Sequence, residues 1–192
     1  VLACLVGVLS LAPAANMLSS HQVMNRSFEP LMLVNSYGAF GSVGRDRHEL
    51  VIEGTDDDEV GPDTVWQEYE LPCKPGNPAR RPCLTDVYHR RLDWQIWFAA
   101  MYPPACEPWM FNLLHKLLEG DGAVRALFEV DPFPDHPPRW VRVQRFRYRL
   151  APPGAPTWWQ RSDEKQFLPP ASLGDDDWLA AAWDYYRWRG CR

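Results

Sequence analysis

Spacing decides whether serine, histidine, cysteine and acidic residues can carry a nucleophile or hold a metal, and here the spacings fall short. Ser42 lies between Gly41 and Gly44, but Phe40 stands where a G-x-S-x-G nucleophile elbow needs its first glycine. His48-Glu49 lacks the second histidine of a zinc-binding H-E-x-x-H helix. Gly38, Gly41 and Gly44 recur every third residue, unlike a dinucleotide or phosphate loop. Asp56-Asp57-Asp58-Glu59 opens like a calcium loop, but Val60 and Gln67 fall where oxygen ligands belong, so it reads as a solvated acidic turn. Cys73, Cys83 and His89 lack the paired spacing of a zinc site, and there is no C-x-x-C. The expectation is a chain with no catalytic residue, no metal and no cofactor of its own.

Two cysteines suit a structural role. Cys73 and Cys83 flank the turn-rich run Lys74-Pro75-Gly76-Asn77-Pro78-Ala79-Arg80-Arg81-Pro82, which can fold back and bring its ends within disulfide range. Two free, half-buried thiols are the alternative. Cys106 and Cys191 remain as a second pair that nothing local supports. Asp93 sits in an apolar run, where a charge is costly unless paired. An arginine from the 139–149 segment would satisfy it, and so would the favourable dipole of a helix first turn. The basic run Arg139, Arg142, Arg145, Arg147 and Arg149 alternates with aromatics, as on a single-strand-binding surface. A net charge of -5 and a pI near 5.5 favour a solvated strand face instead, and argue against nucleic acid as a partner. Trp158-Trp159 reads as one core tryptophan and one at the rim, or as a platform for a partner or a sugar.

The elements that position these residues follow from periodicity. With 192 residues and 46% hydrophobic content, the chain can bury one core, and ten Trp, seven Tyr and eight Phe should supply much of it. Residues 1–15 carry no charge but are fewer than the roughly 20 that span a bilayer. They read as the end of a transmembrane helix over residues 1–19, with a signal peptide or a buried core helix as alternatives. The first two place residues 20–192 outside the cytosol. Asn25-Arg26-Ser27 is then an N-glycosylation acceptor in a eukaryotic secretory lumen.

Leu31–Tyr37 reads as a strand, His48–Glu53 as a second with Leu50 and Ile52 on one face, and Val65–Leu71 as its antiparallel hairpin partner. Leu92–Met101 is apolar nearly all round and predicts a buried helix. Pro108 and Gly120 bound an amphipathic helix carrying Trp109, Met110, Leu113, Leu114 and Leu117. A short helix over Ala123–Val130 follows. In Trp140–Leu150 the apolar positions slip phase: Val141 and Val143 are odd, Phe146, Tyr148 and Leu150 even. Keeping both sets on one face requires a β-bulge near Gln144. Pro152-Pro153-Gly154 turns into a further strand with Trp158-Trp159, and Asp175-Asp176-Asp177 opens a last helix closed by Arg187 and Arg189. The fold class is α+β, antiparallel hairpins packed with several helices.

Asn35–Phe40, Glu49–Gly54, Trp66–Glu70, Lys74-Pro75-Gly76 and above all Arg91-Leu92-Asp93-Trp94-Gln95-Ile96-Trp97-Phe98-Ala99-Ala100 resemble the lipase maturation factor family. Pro132-Phe133-Pro134, Pro137-Pro138, Tyr148 and Trp158-Trp159 follow in the family's order, so the resemblance runs from about residue 24 to 173. It implies a multi-pass protein of the endoplasmic reticulum membrane, whose lumenal domain this chain contains and whose folding clients are secreted lipases. It supplies no catalytic residue. The partner surface then falls to proline-rich loops and exposed aromatics, with Tyr102, Trp158 and Trp159 as candidates. Two competing classes stay open. The family's membrane region looks distantly like that of vitamin K-dependent carboxylases, making this an accessory domain of an enzyme. A carbohydrate-binding module is the other.

Overall fold

A computed structural model describes residues 1–38, 46–83 and 90–175. The chain divides into two compact units, residues 1–45 and 46–192. The Ser42 pattern and the helix expected after Asp175 lie outside the described residues.

In the first unit, α1 (Leu2–Leu9) and α2 (Leu11–Leu18) follow one another without a buried residue. They part at Ser10 because Pro13 has no N–H to give the Leu9 carbonyl and its ring crowds that oxygen. No helix among the described residues is long and apolar enough to cross a membrane. β1 (Arg26–Ser27) and β2 (Asn35–Ser36) pair antiparallel. The strand expected over 31–37 shrinks to β2 because a side chain takes its backbone donors. The Glu29 carboxylate accepts from the amides of Leu31, Leu33 and Val34, leaving those groups unavailable to a ladder.

The second unit carries a four-stranded antiparallel sheet of β3 (Arg47–Thr55), β4 (Gln67–Tyr69), β5 (Trp140–Leu150) and β6 (Trp159–Ala171), in the order β4-β3-β5-β6. Between β4 and β5 come α3 (Arg91–Ala99), a 3₁₀ turn (Pro104–Cys106), α4 (Pro108–Leu118) and α5 (Gly122–Arg125). The unit is α+β, as expected. Both expected hairpins form, and β3 against β5 fuses them into one sheet, from Arg47 opposite Tyr148 to Thr55 opposite Trp140.

The phase slip in β5 has a different cause from the expected bulge. β5 runs in unbroken register along β3. Val141 and Val143 join Leu50, Ile52, Ile96 and the α4 leucines in the main core, whereas Phe146 and Tyr148 join Val51 and Trp159 in a second cluster. Successive strand residues face opposite ways, so the two sets serve opposite faces of the sheet. The register does shift against β6, including between Val143 and Gln144 where the bulge was expected, but the extra residues sit on β6: Val141 to Val143 spans Ala171 to Leu168, Val143 to Gln144 spans Leu168 to Gln166, and Arg145 to Arg147 spans Lys165 to Ser162. Those irregularities, with Pro169-Pro170 and the charges of β6, blunt an otherwise long open edge.

The helix over Ala123–Val130 is also shorter than expected. α5 ends at Arg125, and the amides of Glu129 and Val130 turn to the Glu70 carbonyl, pinning the segment to the end of β4. α4 matches its signals. Gly120 takes φ +73°, its amide bonding Leu117 O while that of Asp121 bonds Lys116 O, the Schellman closure that favours glycine. Arginines of the basic strand pair with acids: Arg142 with Glu53 at 2.6 Å, and Arg147 with Asp46 at 2.5 Å and Asp163 at 3.4 Å.

Candidate functional site

The run between Leu71 and Cys83 has almost no regular structure, yet it is tethered at many points. Cys73 and Cys83 are disulfide-bonded, with Cα atoms 5.2 Å apart. Proline-rich sequence keeps this strap out of helix and sheet, so its backbone polar groups need other partners. Asp93, in the first turn of α3, supplies one end. Its Oδ1 accepts from Cys73 N at 2.7 Å and Lys74 N at 2.8 Å. Backbone amides, rather than an arginine of β5, satisfy this carboxylate. The Tyr148 hydroxyl donates to Gly76 O at 2.7 Å, and both Trp158 N and Trp159 N donate to Pro78 O. Arg80 closes the far end on the carbonyls of Leu71 and Pro72.

Lys74 points inward. Its Nζ donates to Pro75 O at 2.9 Å and lies 3.4 Å from Oε2 of Glu49, which is fully buried. Glu49 Oε1 takes Arg47 Nε at 2.6 Å. Burial pushes the Lys74 ammonium below its ordinary range, and Glu49 opposes that shift. An ion pair in this setting is weak evidence of stability, but removing one partner is costly because it strips the other of its counter-charge. Burial likewise pushes the Tyr148 phenol up to about 12. The Arg47 guanidinium lies over two indoles, 5.9 Å from the centre of the Trp97 ring and 5.8 Å from that of Trp159.

α3 is only partly buried, contrary to its all-round apolar sequence. Ile96 and Ala99 enter the core and Leu92 packs on it, whereas Trp94 stays 41% exposed and stacks on Phe98 at 5.6 Å. Its outer side, with Arg91, Gln95, Glu107 and Trp109, lines an open groove of about 400 Å³. Tyr102 is half exposed just past the helix. Trp158 and Trp159 divide as rim and core. Trp159 is buried with its ring edge-on to Tyr148, and Trp158 is 48% exposed with the Arg81 guanidinium 5.7 Å from its ring. The surface carried by this pair is therefore Trp158's. Cys106 is disulfide-bonded as well, and Cys191 lies outside the described residues. Among the described residues no group of His, Cys, Asp and Glu is arranged to hold a metal ion.

Residues 33–169 match the family described as the lipase maturation factor C-terminal domain. This chain belongs to the lipase maturation factor family. It is 45% identical to lipase maturation factor 1 of Mus musculus over 181 residues, 91% of this chain and 32% of that protein. It is 43% identical to lipase maturation factor 1 of Homo sapiens over 179 residues, 90% of this chain and 32% of that protein. Lipase maturation factor 2 of Homo sapiens is 40% identical over 156 residues, 77% of this chain and 21% of that protein. The chain thus spans about a third or less of the relatives it matches. No solved structure matches it.

Several of the segments that carry the lipase maturation factor resemblance, scattered in sequence, meet at the strap. Glu49 comes from β3, Lys74 and Gly76 from the strap itself, Asp93 from α3, Tyr148 from β5 and Trp158-Trp159 from the start of β6. Sequence reasoning singled out Cys73, Cys83 and Asp93 but missed Glu49, Arg47 and Arg80. A glutamate in a strand otherwise rich in core residues was the one available signal for Glu49.

Proposed function

We propose that this domain works as a lumenal holding surface for folding clients, secreted lipases, within an endoplasmic reticulum membrane protein, and turns over no substrate. In this reading residues 1–19 are the end of a transmembrane helix and residues 20–192 face the lumen. The observation that carries it is the presentation of Trp158. This exposed indole stands on a base fixed by Pro78, Arg81 and a cross-linked strap, in a chain of the lipase maturation factor family. Rigid aromatics beside arginine are the commonest anchors of protein interfaces, because they bury much area at little entropic cost. Tyr102 is the second anchor. The uncharged, wholly unburied α1 and α2 support the membrane assignment. Asn25 is exposed, so a glycan there would report the lumenal side.

The test is rescue. In cells lacking the endogenous factor, the full-length protein should restore secretion of active lipase. Trp158→Ala with Tyr102→Ala should reduce that rescue at unchanged protein abundance. Full rescue by the double variant would remove both residues from the contact. Failure of the folded wild-type protein to rescue any secreted lipase would end the client reading.

A further inference from the structure

The first unit displays an apolar loop that the client reading does not use. Between β1 and β2 the chain exposes Leu31 at 67%, Met32 at 70% and Leu33 at 53%, beside a partly exposed Phe28. The loop's backbone is held in this shape by one side chain. The Glu29 carboxylate turns back onto the amides of Leu31, Leu33 and Val34, and Met32 N donates to Glu29 O. Met32 is held at φ +52°, a conformation unfavourable for a side chain with a Cβ that persists only where its surroundings impose it. The acid that would keep this tip in water is thereby spent on the loop's own backbone.

Charge is otherwise nearly absent. Arg26 and Glu29 are the only Asp, Glu, Lys or Arg residues among residues 1–38. The tip is also tied to the end of α2. Asn16 Nδ2 donates to Val23 O and Asn16 Oδ1 accepts from Val23 N, while the Ser36 hydroxyl of β2 donates to the same Val23 carbonyl. The hairpin is therefore hydrogen-bonded back to the helix end rather than hanging on a free linker. Tyr37, 87% exposed beside β2, is of the type that collects at membrane–water interfaces.

We propose that the Phe28–Leu33 tip is a membrane-surface contact, its apolar side chains lying in the interfacial region of the bilayer and Arg26 meeting lipid phosphates. This rests on the reading of residues 1–19 as the end of a transmembrane helix. A lipid surface fits better than a protein one because Arg26 and Glu29 are the only Asp, Glu, Lys or Arg residues from α1 to the tip, with Glu29 turned onto the loop's own amides, and because the hydrogen bonds through Val23 and Ser36 hold the tip to that helix end.

The test uses the full-length protein in phosphatidylcholine–phosphatidylserine vesicles, with other free cysteines replaced by serine. Single cysteines at Leu5, Leu31, Met32 and Val65 carry an environment-sensitive nitrobenzoxadiazole label, and some vesicles contain doxyl-labelled lipid. Labels at 31 and 32 should emit to the blue of that at 65, and shallow doxyl lipid should quench them. The label at 5 should also be quenched. Quenching at 5 with water-like emission at both 31 and 32 would overturn the tip contact and leave the transmembrane reading standing. Blue-shifted emission at 31 and 32 without quenching would show a protein surface covering the tip, and also overturn it. No quenching at 5 would refute the transmembrane reading itself and the tip contact with it.

Discussion

Asp93 is the residue through which the motif helix controls the strap, and its removal has a computable cost. Asp93→Ala deletes the acceptor for two amides, Cys73 N at 2.7 Å and Lys74 N at 2.8 Å. Hydrogen bonds to a charged acceptor contribute about 1.5–3 kcal/mol each. The amide of exposed Cys73 finds water instead, so most of the loss comes from Lys74, whose residue is buried. A favourable first-turn charge is lost too, about 0.3–1 kcal/mol. The sum is about 2–4 kcal/mol for local opening of the strap. Asp93→Asn keeps an acceptor oxygen and should cost about 1 kcal/mol, mainly the charge-assisted part. Native-state trypsin cleavage at Arg80-Arg81 reads this opening directly when reclosing outpaces cleavage. At tenfold per 1.4 kcal/mol, Asp93→Ala should speed cleavage by roughly 30- to 700-fold and Asp93→Asn by about 5-fold. Equal rates for Asn and Ala would mean that the carboxylate does not act through these amides. Wild-type rates in both would refute the tether.

Replacing Cys73 and Cys83 with Ala removes a cross-link of sequence separation 10 and should destabilise the domain by about 2–3 kcal/mol in the chain-entropy model, read by urea unfolding. Gly54→Ala would put a Cβ 2.7 Å from Phe133 Cε2 and 3.0 Å from Pro138 Cβ, costing about 1–3 kcal/mol; an unchanged midpoint would show that the two rings give way. Lys74→Met leaves the buried Glu49 carboxylate with Arg47 alone and should cost about 1–3 kcal/mol, whereas adding Glu49→Leu should recover part of it; no recovery would refute the pairing. The Tyr148 phenol ionises near 10 in the unfolded chain and about 12 when folded. The unfolded chain therefore sheds that proton first, and the Tyr148 contribution is lost as pH rises from 10 to 12. Tyr148→Phe should flatten the fall in stability across that window, and an unchanged slope would exclude it.

Local chemistry was legible in the sequence wherever the cause was local. The Cys73–Cys83 bond followed from a turn-rich run too short to keep its ends apart, and α4 from Pro108 and Gly120. The two hairpins followed from alternation interrupted by turns. Readings failed where a distant partner decided the outcome. The phase slip in β5 looked like a bulge because one strand by itself does not disclose that both its faces are covered. Only pairing with β3, with α3 and α4 on one side and Trp159 on the other, assigned Val143 and Tyr148 to separate clusters. The strand over 31–37 failed because a carboxylate two to five residues away outbid the ladder for its amides. The strap is the clearest case. Its sequence determined that it could not be helix or sheet, and so that its polar groups needed partners. Which partners they found was decided by tertiary structure, because Glu49, Asp93, Tyr148 and Trp158 come within hydrogen-bonding reach of the strap only once the sheet and α3 have assembled.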